Sequence, residues 1–173
     1  ISLLILIDMF GINKRYLNNE KIGTTYTMWE SKRIAQVPFS PSTADNIILQ
    51  DKNPDFRVLD LTKSTFNDAS TSYFHKSIGG YHGAKLQRYQ DLIEHNISPE
   101  MSAFGNAKTI DDLKISLRKS QILNALNTKY IIFSPEASPI LNESAFGNAW
   151  MVKKHRIVAN ADEEIAALKT NDL

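Results

Sequence analysis

The order of elements in this sequence predicts an α/β or α+β fold, a mixed β-sheet of about three to five strands flanked by helices. Three observations carry that expectation. Short apolar runs at Phe56–Leu61 and Lys129–Phe133 have strand length and stop abruptly. Between them lie two stretches with apolar residues at helical spacing. No repeat with a period of about 20 to 50 residues appears, so a solenoid or propeller is excluded.

The elements follow in order. Ile1–Ile7 (ISLLILI) is almost purely apolar and ends at Asp8. It is shorter than the ~18–20 residues of a membrane span, and lacks the basic start and small-residue cleavage site of a signal peptide. Two readings stay open for residues 1–10, a buried strand or the end of a membrane helix, with the abrupt stop tilting towards strand. The absence of an initiator Met suggests a piece of a longer protein. Residues 11–41 read as a connector, with Gly11, Gly23, Pro38 and Pro41 and no sustained period. Tyr26, Trp29 and Phe39 are expected to pin it, and Lys14, Arg15, Tyr16 and Trp29 suit either interfacial anchoring or an ordinary linker.

Ser42 with Asp45 forms a capping-box pattern opening a short helix through Gln50. Asp51–Asp55 (DKNPD) is a turn in which Pro54 bars further helix, and Phe56–Leu61 is a strand. Thr62–Tyr73 is a Ser/Thr/Asn/Asp-rich loop. Gly79, Gly80 and Gly83 then permit a tight turn before a helix over about Ala84–His95, with Leu86, Tyr89, Leu92 and Ile93 on its apolar face. Pro99–Lys108 reads as a second loop. Thr109 with Asp112 caps a helix running to about Asn127 and burying Leu113, Leu117, Ile122, Leu123 and Leu126. Lys129–Phe133 is a strand stopped by Ser134 and Pro135. Ala149–Ala159 reads as a strand or hairpin arm, and Asn160 with Glu163 caps a last helix ending near Leu168. The hexapeptide SAFGNA occurs twice, at Ser102–Ala107 and Ser144–Ala149. It reads as two Gly-Asn turns leading into new elements.

Composition bounds the chemistry. The 173 residues suit one domain, 1–173, with a real core. A net charge of +1 gives no field that would recruit nucleic acid. With no Cys there is no disulfide, thiolate nucleophile or Cys-based zinc site. The Gly turn is the best candidate site. The start of the following helix attracts anions, and His75, Lys76, His82, Lys85 and Arg88 lie close by in sequence, so a phosphate or a sugar carboxylate is the ligand it would suit. The candidate ligand-binding set is Ser77, Gly79, Gly80, Tyr81, His82, Lys85 and Arg88, with His75. SIGGYHG is neither a dinucleotide fingerprint nor a Walker loop, so the competing reading is a sterically required turn with cations at its surface.

No metal is expected. His75 and His82 have no metal-ligand spacing, and Asp60, Asp68 and Asp91 cannot be placed beside them from sequence. No cofactor motif appears. The pairs Asp111/Asp112 and Glu163/Glu164 fall in first helical turns, where the helix dipole accounts for them. No GxSxG elbow supports a Ser-His-Asp triad, which leaves a hydrolase using His75 or His82 without a motif. Tyr73, Phe74, Tyr81 and Tyr89 read as core or as a sugar-stacking platform.

The phrases FRVLDLT, FNDASTSYFHKSIGGYHGAKLQRYQDLIEH, LNALNTKYII, GNAWMV and ANADEEIAAL, with LLILIDMFGINKRYL and PFSPSTAD before them, resemble the soluble portion of YfhO-like bacterial membrane proteins, over about Leu3 to Leu168. The resemblance implies a large polytopic parent similar to GT-C-type glycosyltransferases, which take sugar from a polyprenyl-phosphate carrier outside the cytoplasmic membrane. It implies that this chain is an extracytoplasmic domain following a membrane helix. The catalytic acid of such enzymes lies on an early loop absent here, so no catalytic residue is carried over. Its expected partners are the parent's own membrane helices and a glycan or lipid-linked sugar, with acceptor binding or scaffolding as its role. A structural or protein-interaction domain of the envelope is the alternative.

Overall fold

The computed structural model describes residues 2–16, 32, 36–107, 109–152 and 155–169. The chain divides into two compact units, Ile1–Ser40 and Pro41–Leu173. Gly23, Tyr26 and Trp29 of the expected connector lie outside the described residues, as do Lys153 and Lys154.

The first unit holds helix α1 (Ser2–Tyr16). The apolar run is therefore helix and not buried strand, and it takes in Gly11, which sequence had assigned to the connector. A single Gly inside a run of helix formers costs only about 1 kcal/mol, too little to end it. At 15 residues and about 1.5 Å per residue, α1 spans roughly 22 Å, short of the ~30 Å hydrocarbon layer. Among the described residues no helix is long and apolar enough to cross a membrane.

The second unit is a three-stranded mixed sheet covered by helices. Helix α2 (Thr43–Ile48) opens with the full capping box, Ser42 Oγ taking the Asp45 N–H while the Asp45 carboxylate takes the Ser42 N–H. Strand β1 (Arg57–Asp60) is followed by a 3₁₀ turn at Ser70–Tyr73. Helix α3 (Gln87–Leu92), a π-helical turn at Ile93–Ile97 and helix α4 (Ser98–Phe104) then run on continuously. After these come α5 (Ile110–Lys119), α6 (Gln121–Ala125), β2 (Thr128–Ile132), β3 (Ile140–Leu141) and α7 (Ala161–Leu168).

Strand β1 pairs parallel with β2, and β2 pairs antiparallel with β3, in the order β1-β2-β3. A parallel pair needs a crossover, and helices α3 to α6 supply it. Strands β1 and β2 are buried on both faces. Leu59 and Ile131 face a large core with Ile93, Ile97, Phe104, Leu113, Leu117 and Leu123. Val58 and Ile132 face a smaller one with Ala44 and Ile48 of α2. Wholly burying an Ile or Leu contributes about 1.5–3 kcal/mol, so Ile48 alone holds α2 firmly for so short a helix.

Four expectations are corrected. Residues 99–104 of the expected second loop belong to helix α4. Pro99 stands in its first turn, directly after the π turn in which Ser98 N–H reaches Ile93 O, so the α-helical ladder that a proline interrupts is already broken at this point. The helix after the Gly turn begins at Gln87, not Ala84, because Leu86 is extended and no side chain caps it. Leu86 is accordingly 77 % exposed instead of sharing the apolar face. The helix from Thr109 breaks at Ser120, which leaves helical geometry at ψ 78°. Finally, Ala149–Ala159 contains no strand among its described residues. The third strand is Ile140–Leu141, two residues too few to show a period.

Candidate functional site

The Gly turn is fixed by steric contact. Val58 N–H donates to Lys76 O and Ile78 N–H to Val58 O, so Lys76–Ile78 lies along the free edge of β1. The chain then passes the 62–69 loop so closely that a Cβ on Gly79 would lie 1.9 Å from the Thr65 carbonyl oxygen. Gly80, at φ +122°, turns its N–H onto that same oxygen at 2.8 Å. These two glycines are demanded by backbone geometry.

The expected ligand residues are dispersed around this turn. Ser77 Oγ accepts the Gly79 N–H at 3.1 Å, and His82 Nδ1 accepts the Ala84 N–H at 3.1 Å. Lys85 Nζ donates to Gln90 Oε1 at 3.2 Å and sits 5.6 Å above the Phe66 ring. Arg88 pairs with Glu164 of α7. Tyr81 is exposed. His75 is buried, its Nε2 2.8 Å from Asp45 Oδ1, with its side chain only 3 % exposed. Burial raises the Asp45 carboxyl, but the Ser42 N–H and hydroxyl and His75 together outweigh it, leaving Asp45 below the ordinary carboxylate range. A buried histidine tied to a capping carboxylate has no path to substrate, so the hydrolase reading loses His75 as a base, while His82 is exposed.

The aromatic residues do not form one platform. Tyr73 and Phe74 meet edge to face at 5.0 Å. Tyr89 turns its ring towards the core and donates its hydroxyl to Ile78 O at 2.6 Å. No three His, Asp or Glu side chains among the described residues come together as a metal site.

Two clefts remain. The larger, about 640 Å³, lies between α3 and α7. Arg88, His95 and Lys169 line it together with Asp91, Asp162 and Glu164, so it presents no net positive field to an anion. The smaller, about 380 Å³, lies where β1 and β2 begin, with Arg57, Asn127, Asn148 and Trp150 in its wall. Beside it Asp51 accepts from Lys129 and from the Tyr130 hydroxyl at 2.9 Å. The Lys129 ammonium, then the Asn53 N–H and the Tyr130 hydroxyl, lower the Asp51 carboxyl to about 2. The same ammonium lies 5.2 Å from the Phe56 ring centroid.

Sequence reasoning missed this second cleft. Its signal was the second SAFGNA, read as a turn. The two copies differ in conformation. In the first, Ser102–Phe104 is helical and Gly105 caps it at φ −63°. In the second, Gly147 stands at φ +81°, and the chain continues into Trp150 without a new element. Compared with known proteins, the chain matches no family model, no curated protein and no solved structure.

Proposed function

We propose that this chain is the extracytoplasmic accessory part of a bacterial cytoplasmic-membrane protein similar to the YfhO-like family. The parent is read as a polyprenyl-phosphate-sugar-dependent glycosyltransferase of the cell envelope, and this part as non-catalytic, serving acceptor binding or scaffolding. The observation that supports this reading is α1. Leu3, Leu4, Ile5, Leu6 and Ile7 are each 56–71 % exposed. Five successive helical residues point in every direction around the axis, so α1 is apolar on all sides over Leu3–Ile7, ahead of Asp8, and a helical stretch of that kind belongs among lipids or other helices. Lys14 and Arg15 in its last turn suit an interfacial end. The near-zero net charge gives no support for a nucleic-acid partner.

Flotation of the chain with vesicles of phosphatidylethanolamine and phosphatidylglycerol tests this reading. Wild type is expected to float, and the double variant L4K/I7K to stay at the bottom. Equal behaviour of the two proteins would remove the support that α1 gives.

One observation favours a protein-interaction role instead. Met151, Val152 and Ile157 are 90 %, 72 % and 88 % exposed in one short segment. Met151 and Val152 are adjacent apolar side chains of the kind partner proteins cover, with His155 and Arg156 standing before Ile157.

A further inference from the structure

The cleft at the start of β1 and β2 combines an exposed, braced aromatic ring with fixed polar groups. Trp150 is 46 % exposed. Its ring rests edge-on against Phe146, centroids 5.3 Å apart, and Phe146 is anchored through its N–H to Asn124 O at 3.0 Å. Asn127, held at φ +57°, donates its side-chain amide to Asp55 O and, at 3.0 Å, to Asn148 Oδ1. The Asn148 carboxamide is thereby oriented, and its nitrogen makes no hydrogen bond among the described residues. Arg57 is fixed through its own N–H to Asn127 O at 2.9 Å and through Nη1 to Leu126 O at 2.8 Å. Its remaining guanidinium nitrogens have no partner among the described residues. Asp55 and Lys76, paired at 3.6 Å, stand at the rim.

We infer that this cleft is a binding site for a short saccharide. A sugar ring has one face of C–H groups and an equator of hydroxyls. The face suits an aromatic ring that is rigid and half exposed. The equator needs planar donors and acceptors at fixed positions, which carboxamides and a guanidinium supply. The volume of about 380 Å³ lies at the low end of small-molecule sites, fitting a short sugar and not a polymer chain. The side chains keep their places because the Asn127 and Arg57 bonds hold them before any ligand arrives, which lowers the ordering cost of binding. No apolar enclosure suits a lipid tail here, since the wall carries Asp55, Arg57 and Lys76.

This inference rests on the acceptor-binding form of the proposed function and moves its site from the Gly turn to the Trp150 cleft. The test is NMR titration of the full chain at millimolar methyl glycosides of glucose, galactose and N-acetylglucosamine, and the corresponding disaccharides. Shifts are expected in the amides of Asn127 and Gly147–Val152 with at least one probe. Trp150→Ala is expected to weaken that binding about tenfold or more, as truncating an aromatic anchor does. Trp150→Phe should recover part of it, and Asn148→Ala should weaken it separately while both proteins keep the wild-type spectrum elsewhere. No shift with any probe overturns the inference, and so do shifts centred elsewhere or unchanged in Trp150→Ala. Either failure leaves the membrane reading to its own test, since vesicle flotation does not depend on this cleft.

Discussion

Gly79→Ala is expected to destabilise the second unit by an amount that follows from the geometry. The added Cβ would lie 1.9 Å from the Thr65 carbonyl oxygen and 2.7 Å from its carbon. Both are backbone atoms, so no side-chain rotation relieves the contact. Neither side is free to yield. Thr65 is tied through Oγ1 to Asp60 O at 3.0 Å, and the chain before Gly79 is held to β1 by Ile78 N–H to Val58 O at 3.1 Å. Forcing an extra methyl into such a contact costs about 1–3 kcal/mol. Moving the Thr65 carbonyl also sacrifices its 2.8 Å bond from Gly80 N–H, about 1 kcal/mol more. The sum is about 2–4 kcal/mol. With a urea m-value of about 2 kcal/mol/M, the midpoint should fall by about 1–2 M. Gly83→Ala is the control, because its Cβ would meet nothing within 4 Å, and it should shift stability by less than about 0.5 kcal/mol. Urea unfolding followed by far-UV circular dichroism measures both. Equal midpoints for the two variants would refute the claim that the turn is fixed by Thr65.

The other predictions concern buried polar groups and pH. Asp45→Ala removes the α2 capping box and strands the buried His75 imidazole, and is expected to cost about 2–4 kcal/mol by urea unfolding. Because the Asp45 carboxyl is lowered, its contribution is fully present above the ordinary Asp range and is lost as pH falls from there through the lowered value. Asp45→Asn should therefore flatten the acid limb of the stability–pH curve. Glu100 behaves oppositely. Burial raises its carboxyl despite the N–H bonds from Ile122 and Leu123 at 2.9 and 3.0 Å. The stability linked to its protonation is present below the ordinary Glu range and lost as pH rises through the raised value, and Glu100→Gln should remove that loss. Glu100→Ala leaves both N–H groups at the start of α6 without their acceptor and should cost about 2–3 kcal/mol.

Much of the second unit was legible because its signals are local. Ser42–Asp45 and Thr109–Asp112 form the boxes their spacing announces. Asn160 caps α7, although Glu163 takes the Ala159 N–H and not that of Asn160. The strands Arg57–Asp60 and Thr128–Ile132 fall on the two short apolar runs, within a residue of their ends. What stayed hidden depends on contacts distant in sequence. Pro99 reads as a breaker unless the π turn before it is known. The pairing of Ile140–Leu141 is dictated by β2, not by its own two residues. At the candidate site, proximity in sequence suggested that His75, His82, Lys85 and Arg88 converge. The fold sends His75 to Asp45 and Arg88 to Glu164, partners 30 and 76 residues away. The Trp150 cleft joins residues 55–57, 127 and 147–150, a juxtaposition no linear pattern displays.

The central claim is that this chain sits outside the cytoplasmic membrane as part of a membrane protein. This stretch of 173 residues has no Cys, so a cysteine placed in it is read against the same protein without it. Ile157, 88 % exposed, is changed to cysteine in the protein as its native host makes it, and intact cells are treated with a membrane-impermeant maleimide. The account predicts labelling before lysis, dependent on I157C, of a protein recovered in the membrane fraction. Labelling only after lysis, or recovery of the labelled protein in the soluble cytoplasmic fraction, would contradict it.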